Sequence, residues 1–527
     1  EGVYMNSVLP SGANIQPPCY IGKNVVIRKG AVIGPYAVID DGSVIDGGAV
    51  VERSVVDKAH IAPNSSLFGA IVSRAAVIRE GTGLSEGSVI GEGTVIGEGA
   101  VVYEGVRVWP RKLVAPGSHV HYNIMTGSPQ NGLSFEGPGI LTGEINADMT
   151  PEILMGIGSY LGENKECGVG FAGGRAAEML AGALIAGIEA AGGTAVVTDA
   201  KLASAMSFAA RLYRFPASVF LKQKESYADI YIFDSNGLLM KKDQRRKMAA
   251  AVTRGEISRA AAPQSGGRRD ITGLMRSYAA TYALVDLGGF SCSVQDTAQN
   301  APLAEALTMC GASVSPAKRK KLPSFELADD GMALCAYDEE GKYADAGHMY
   351  VLSAVCAVKN GKGESVTAYF DAPNILEAAV YSCGGKVNRV SRENAGQDTA
   401  IRDQTFLRDG VSAALNIALY LITSGESLKS ALAAIPDFYT ATREIDVSRN
   451  RASMMQALLQ ECAGVKRELC DGVKLCVDSG WVHISPLDRI SRLKVTSEGM
   501  NSEIAGELCD MFSERLKKLD QRGGTIS

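Results

Sequence analysis

Few groups in this chain have the types and spacing that chemistry needs. Five histidines, His60, His119, His121, His348 and His483, lie far apart. A histidine can serve as general base toward a hydroxyl or amine, which singles out His60 and His119, although each is more simply a surface or loop residue. Acidic side chains cluster at Asp329-Asp330 and at Asp338-Glu339-Glu340. A Mg²⁺ site needs oxygen ligands converging from one loop. The first pair is followed by Gly331-Met332-Ala333, which adds no ligand, and the second sits in YDEEGKY, the pattern of a hairpin turn. Both read as solvated turns, and the basic run Lys318-Arg319-Lys320-Lys321 reads as a solvated loop rather than a phosphate site. Gly168-Val-Gly170-Phe-Ala-Gly173 matches the G-x-G-x-x-G dinucleotide fingerprint, with Asp199 ending the next strand where a ribose-binding acid would sit. That fingerprint needs a strand before its first glycine, and the polar Glu-Asn-Lys-Glu stands there instead. A glycine-rich strand-to-helix turn is the simpler reading.

These residues hang on two kinds of scaffold. The first shows as a branched aliphatic residue at every sixth position: Ile15, Ile21, Ile27, Ile33, Ile39, Ile45 and Val51, then Leu84, Ile90, Ile96, Val102, Val108, Val114 and Val120. Neither 3.6 nor 2 gives that period. Hexapeptides such as IGKNVV, IRKGAV and IGEGTV predict a left-handed parallel β-helix, the aliphatic residue pointing inward and Gly, Asn or Asp turning the corners. Between Val51 and Leu84 the beat slips, with Ile61 and Leu67 out of phase, which predicts a protruding loop or a distorted coil. TGSPQNGLSFEGPG (126–139) reads as a linker.

Beyond it, strands and helices alternate: CGVGF (167–171), an Ala-rich helix from Arg175 to Ala191, GGTAVVTD (192–199), and TYALVDLG leading to APLAEALTMCG. This predicts α/β domains with parallel or mixed sheets. The boundaries expected are 1–125 for the β-helix, 126–255, 256–335 and 336–430 for three α/β units, and 431–527 for an α+β unit. A chain of 527 residues is long enough for several cores. A net charge of −5 gives no reason to expect nucleic acid or an anionic membrane as partner, and no apolar run reaches a membrane span. The eleven cysteines form no C-x-x-C pair and suit reduced thiols, hence a cytoplasmic setting. The first residues carry no secretory signal, and a start at Glu1 suits a fragment of a longer polypeptide.

Taken together, the hexapeptide segment PPCYIGKNVVIRKGAVIGPYAVI and the four-part region behind it resemble bacterial mannose-1-phosphate guanylyltransferase/phosphomannomutase fusion proteins. The second half of the resemblance rests on CGVGFAGGRAAEMLAGALIAGIEAAGG, DIYIFDSNG, LCAYDEEGKY, RDGVSAALNIALYLITSGESL and DGVKLCVDSGWV. It implies a phosphohexomutase-like region with a phosphoserine loop, a metal loop, a sugar loop and a phosphate loop. It also implies a nucleotidyltransferase module that these residues do not include.

The motifs themselves depart from that pattern. Counting back from DIYIFDSNG, Leu221 stands at the expected phosphoserine, with Ser218 and Ser226 the nearest hydroxyls. The metal loop is 328–333, where Asp330 alone matches a ligand. The sugar loop is missing from RENAGQDTAIRDQTFL. The phosphate loop reads Ser485-Pro486-Leu487-Asp488-Arg489-Ile490-Ser491, leaving Arg489, Arg492 and Lys494 as candidate phosphate-binding cations. The resemblance therefore implies an inactive mutase-like scaffold serving an upstream nucleotidyltransferase, with homo-oligomers formed through the β-helix and a sugar phosphate as ligand. An active phosphohexomutase with displaced residues, needing Mg²⁺, and a hexapeptide acyltransferase stay open as alternatives.

Overall fold

The computed structural model describes residues 3–5, 12–120, 123–124, 135–136, 139–254, 258–282, 285–319, 321–392, 399–446, 451–462, 464–486 and 492–522. The chain divides into two compact units. The first comprises 1–133, 144–150 and 249–257, and the second comprises 134–143, 151–248 and 258–527.

The first unit is a β-helix. Its short strands stack in parallel into three sheets of seven, six and seven strands, each strand pairing with one a full coil away. The inward residues from Ile21 through Val120 are sealed from solvent and form one continuous core. A coil normally takes 18 residues, as in Ile27 beneath Ile45 and Ile90 beneath Val108. The slip between Val51 and Leu84 is not a protruding loop. The inward residues there are Val56, Ile61, Leu67, Val72 and Ile78, all buried. Three sides have lost one residue each, so Val51 sits beneath Leu67, and Leu67 beneath Leu84. The stack stays in register because only corners have shortened while every inward residue keeps its place. His60, expected in an interrupting loop, is instead an outward residue of a coil strand, between Val44 and Val77.

In the second unit, a mixed sheet runs in the order Phe135–Glu136, Ile140–Glu144, Tyr227–Phe233, Ala217–Lys224, Glu166–Ala172, Thr194–Thr198, Gly267–Ile271. Phe135–Glu136 and Ile140–Glu144 pair antiparallel, so the end of the expected linker is a hairpin; the rest of it, 126–134 and 137–138, lies outside the described residues. Helix Arg175–Ala190 buries Leu180, Leu184 and Ile188. A second sheet orders Ser313–Ser315, Ser291–Val294, Ser324–Leu327, Leu334–Tyr337 and Tyr343–Ala344. Its first strand in sequence is Ser291–Val294; the described residues of the expected TYALVDLG, 281–282 and 285–288, form no strand. A parallel pair (Ser365–Tyr369 and Lys386–Val390) and a five-stranded antiparallel sheet from Tyr439 to Gly499 complete the chain. The last sheet packs under helix Ser502–Arg522 with its own core, including Leu475, Val482, Val495 and Leu516.

Candidate functional site

Strand Ala217–Lys224 is the element on which the expected chemistry turns. It pairs in parallel with Glu166–Ala172 on one side and antiparallel with Tyr227–Phe233 on the other, all the way to Lys224. The stretch expected to be a phosphate-carrier loop is therefore a strand. Leu221 lies inside it between Phe171 and Ile230, with no exposed surface. Ser218 is equally sealed, and its Oγ has no hydrogen-bond partner. The chain reverses at Glu225-Ser226, leaving Ser226 exposed in a tight turn.

Alternate residues of a strand share a face, and on this hairpin one face carries Lys222, Lys224, Asp229 and Tyr231. Lys222 Nζ donates to the backbone carbonyl of Asp329 and lies 3.8 Å from that residue's carboxylate. Lys224 Nζ lies 2.9 Å from Asp229 Oδ2 and 3.8 Å from Asp329 Oδ2. Asp229 Oδ1 accepts from Thr142 Oγ1 at 2.7 Å. The Tyr231 hydroxyl donates to Asp330 Oδ2 at 3.3 Å, while Asp330 Oδ1 accepts from Met332 N at 2.9 Å. Burial lowers the pKa of Lys222, with Asp329 opposing; the hydrogen bond to Asp229 raises that of Lys224. Burial, then Asp330, pushes the Tyr231 phenol far up.

The donor set does not suit Mg²⁺, which the resemblance would place beside Asp330. Both Asp330 oxygens already accept hydrogen bonds, and Asp329 faces two ammonium groups rather than other open oxygens. Among the described residues, no three His, Cys, Asp or Glu side chains converge as a metal site. Lys222 and Lys224 escaped sequence reasoning because the segment was read as a loop. Their period of two, opposite the equally spaced Asp229 and Tyr231, was the available signal.

The remaining candidates are dispersed. Arg489 lies outside the described residues, Arg492 opens strand Arg492–Gly499, and half-buried Lys494 pairs with Ser485 across the sheet. Lys494 and the buried His483 are within electrostatic reach of Asp371, which Arg392 holds at 2.9 Å. Burial opposes ionisation of Asp371, and Arg392 overcomes it, so its carboxyl titrates below the usual range. Burial likewise lowers the pKa of His483. His60 Nε2 lies 2.7 Å from Asp46 Oδ2, and Arg28 Nε lies 3.0 Å from the other Asp46 oxygen. His119 Nδ1 meets the Tyr103 hydroxyl at 3.0 Å, and His121 is outside the described residues. His348 Nδ1 pairs with Asp345 at 2.8 Å and its ring stacks on Phe438.

The G-x-G-x-x-G segment does no phosphate cradling. Gly168 and Gly170 lie within strand Glu166–Ala172, where a Cβ on Gly168 would come within 2.6 Å of Met206 and Phe215. Asp199 accepts from Gly273 N and Leu274 N at the start of helix Leu274–Ala280. In the YDEEGKY turn, Asp338 accepts from Glu340 N and Lys342 N, and Glu339 accepts from Leu428 N and Lys429 N. Lys318 stands over the Tyr337 ring at 3.2 Å.

Fold and site define the class: a hexapeptide β-helix followed by phosphohexomutase-like α/β domains. Residues 15–122 match the GMPPB C-terminal domain, and residues 138–258 match the alpha/beta/alpha domain I of phosphoglucomutase/phosphomannomutase. The two matched stretches are thus similar to the two kinds of domain that the resemblance joins, a hexapeptide domain of the GMPPB type and a phosphohexomutase domain I. A probable phosphoglucosamine mutase of Methanopyrus kandleri is 28% identical over 220 residues, covering 36% of this chain and 47% of the relative. A phosphoglucomutase/phosphomannomutase of Thermococcus kodakarensis is 23% identical over 217 residues, covering 37% and 47%. The chain spans about half the length of these curated relatives. A Burkholderia thailandensis phosphoglucomutase/phosphomannomutase family protein superposes with TM-score 0.59 at 13% identity, covering 75% of this chain and 98% of its own. A putative phosphomannomutase from Thermus thermophilus gives 0.53 at 15% identity, covering 73% and 99%. At such identity these structures speak for the fold alone.

Proposed function

We propose that this chain works in sugar-phosphate metabolism as a phosphohexomutase-like protein that binds a sugar phosphate without transferring its phosphate. One observation carries the reading: at the end of the sheet where a phosphate carrier is expected, Leu221 and Ser218 are sealed inside a strand paired on both sides. Phosphoryl transfer rests on positioned metal and charge, and the carboxylates nearby are already taken up by Lys222, Lys224 and Tyr231. In this reading the β-helix joins copies of the chain and supports a nucleotidyltransferase, in the cytoplasm. Among the described residues, no helix is long and apolar enough to cross a membrane. The test is a coupled assay on the purified chain with mannose 1-phosphate or glucose 1-phosphate, Mg²⁺ and the bisphosphate activator, alongside calorimetry with the same ligands. Heat of binding without turnover is expected. Turnover abolished by EDTA would overturn the proposal.

Two further readings each have one observation in their favour. Ser226 is an exposed hydroxyl in the turn after the strand, and a stable phosphoserine there in the intact mass would support an active mutase. The Asp46–His60 pair could orient a general base for acyl transfer, and an absence of acetyl-CoA binding by calorimetry would dismiss that role.

A further inference from the structure

The loop 328–333 is fixed from several sides. Its own turn closes through Ala328 N to Ala333 O at 2.9 Å and Gly331 N to Ala328 O at 2.8 Å. Ser204 N, in the first turn of helix Ala203–Tyr213, donates to Asp330 O at 3.2 Å. Gly410 N, opening helix Gly410–Ser424, donates to Gly331 O at 2.9 Å. The hairpin face adds Lys222, Lys224 and Tyr231. Three carboxylates, from Asp229, Asp329 and Asp330, thus crowd around two ammonium groups and a phenol. Left alone, they would repel one another and favour opening of the loop or capture of a cation.

We infer that Lys222 and Lys224 are built-in counter-cations, which hold the 328–333 loop against the hairpin and make this carboxylate cluster independent of divalent metal. The geometry favours this over ordinary surface pairing. The Lys222 side chain is only 17% exposed, and Asp229, which Lys224 grips, only 11%. Lys222 also spends a hydrogen bond on the loop's backbone, which a surface ion pair does not need. A covalently attached charge cannot dissociate, so the loop stays latched whatever the metal concentration. The inference stands whether or not the chain binds a sugar phosphate, since it concerns only the charge balance of these six side chains.

Thermal unfolding of the full chain in EDTA, in millimolar Mg²⁺ and in millimolar Mn²⁺ tests it. The native chain is expected to show the same Tm in all three. The K222M/K224M variant is expected to lose roughly 4 °C or more in EDTA and to recover part of that loss with either metal, because the carboxylates then lack counter-charge. K222R/K224R should keep the native indifference. If the double methionine variant does not fold, K224M, which removes a half-exposed lysine, is expected to show the same acquired metal response on a smaller scale, read as Mn²⁺ binding by calorimetry. A native chain whose Tm rises in Mg²⁺, or methionine variants with neither lost stability nor acquired metal response, would overturn the inference.

Discussion

Leu221 shows how much one side chain can decide. A serine written into that position would meet a site with no room for chemistry: the strand is paired on both edges and the side chain is wholly buried. Leu221→Ser exchanges packed methyl groups for a cavity and a desolvated hydroxyl, so unfolding in urea should show a loss of about 3 kcal/mol. No mutase turnover should appear. Asp345 offers the counterpart on the pH axis. It caps helix Ala346–Lys359, accepting from His348 N at 2.9 Å and pairing with His348 Nδ1 at 2.8 Å. The bond to the His348 side chain, against the cost of burial, holds its carboxyl below the usual aspartate value. A carboxyl with a depressed folded pKa gives stability that is present above the unfolded value, near 4, and lost as pH falls through the folded one. Asp345→Ala should therefore cost about 1 kcal/mol at neutral pH and progressively less in acid, measured by chemical unfolding across that range. The loss of a carrier serine could be seen in the sequence, because an apolar residue stands at a pinned count. The alternate spacing of the lysines at the neighbouring charge site was equally visible, but their role was not, because it depends on a loop more than 100 residues away.

At the scale of elements, the repeat was the most legible feature and its interruption the least. An inward aliphatic every sixth residue can be read without a structure, but a coil that loses a residue at a corner keeps its stacking while breaking the count. Hydrogen bonds between coils reward alignment of the inward residues, not constant spacing, and this is why Val56, Ile61 and Val72 remain buried. The G-x-G-x-x-G match failed for a related reason. Glycines that suit a phosphate loop also suit close packing of a helix on a strand, and here Gly168 and Gly170 yield space to Met206, Phe215 and Ala200. Gly168→Ala would put a Cβ 2.6 Å from the buried Phe215 ring. The expected consequence is overpacking worth about 1–3 kcal/mol, with sugar-phosphate binding changed only through stability. If the segment served a dinucleotide instead, the native chain would bind NAD in a fluorescence titration, and no such binding is expected.

The whole molecule raises the question of what a β-helix is for in a chain whose larger part is the mutase-like region, and its outer surface gives a direction. One of its three sheets places Tyr20, Val38, Val55, Ile71 and Val89 in register on successive coils, side by side along the outside. Val38, Val55 and Ile71 are 37%, 38% and 46% exposed. This row ends at Arg107, beyond Val89, whereas the second sheet interrupts its outer row in the middle with His60 and the third carries Asn14, Ser66, Gly83 and His119. An apolar stripe of this kind suits contact with another protein, and the proposed homo-oligomer would supply a second copy of the same face, since a two-fold contact requires a self-complementary patch. Charges placed there would repel across such an axis while remaining harmless on a free surface. Val55→Glu with Ile71→Glu should accordingly shift the chain to a smaller species in sedimentation velocity and leave its circular dichroism unchanged. The same pair of substitutions on a chain that assembles elsewhere would leave the sedimentation coefficient where it was, and assembly through this face would then be excluded.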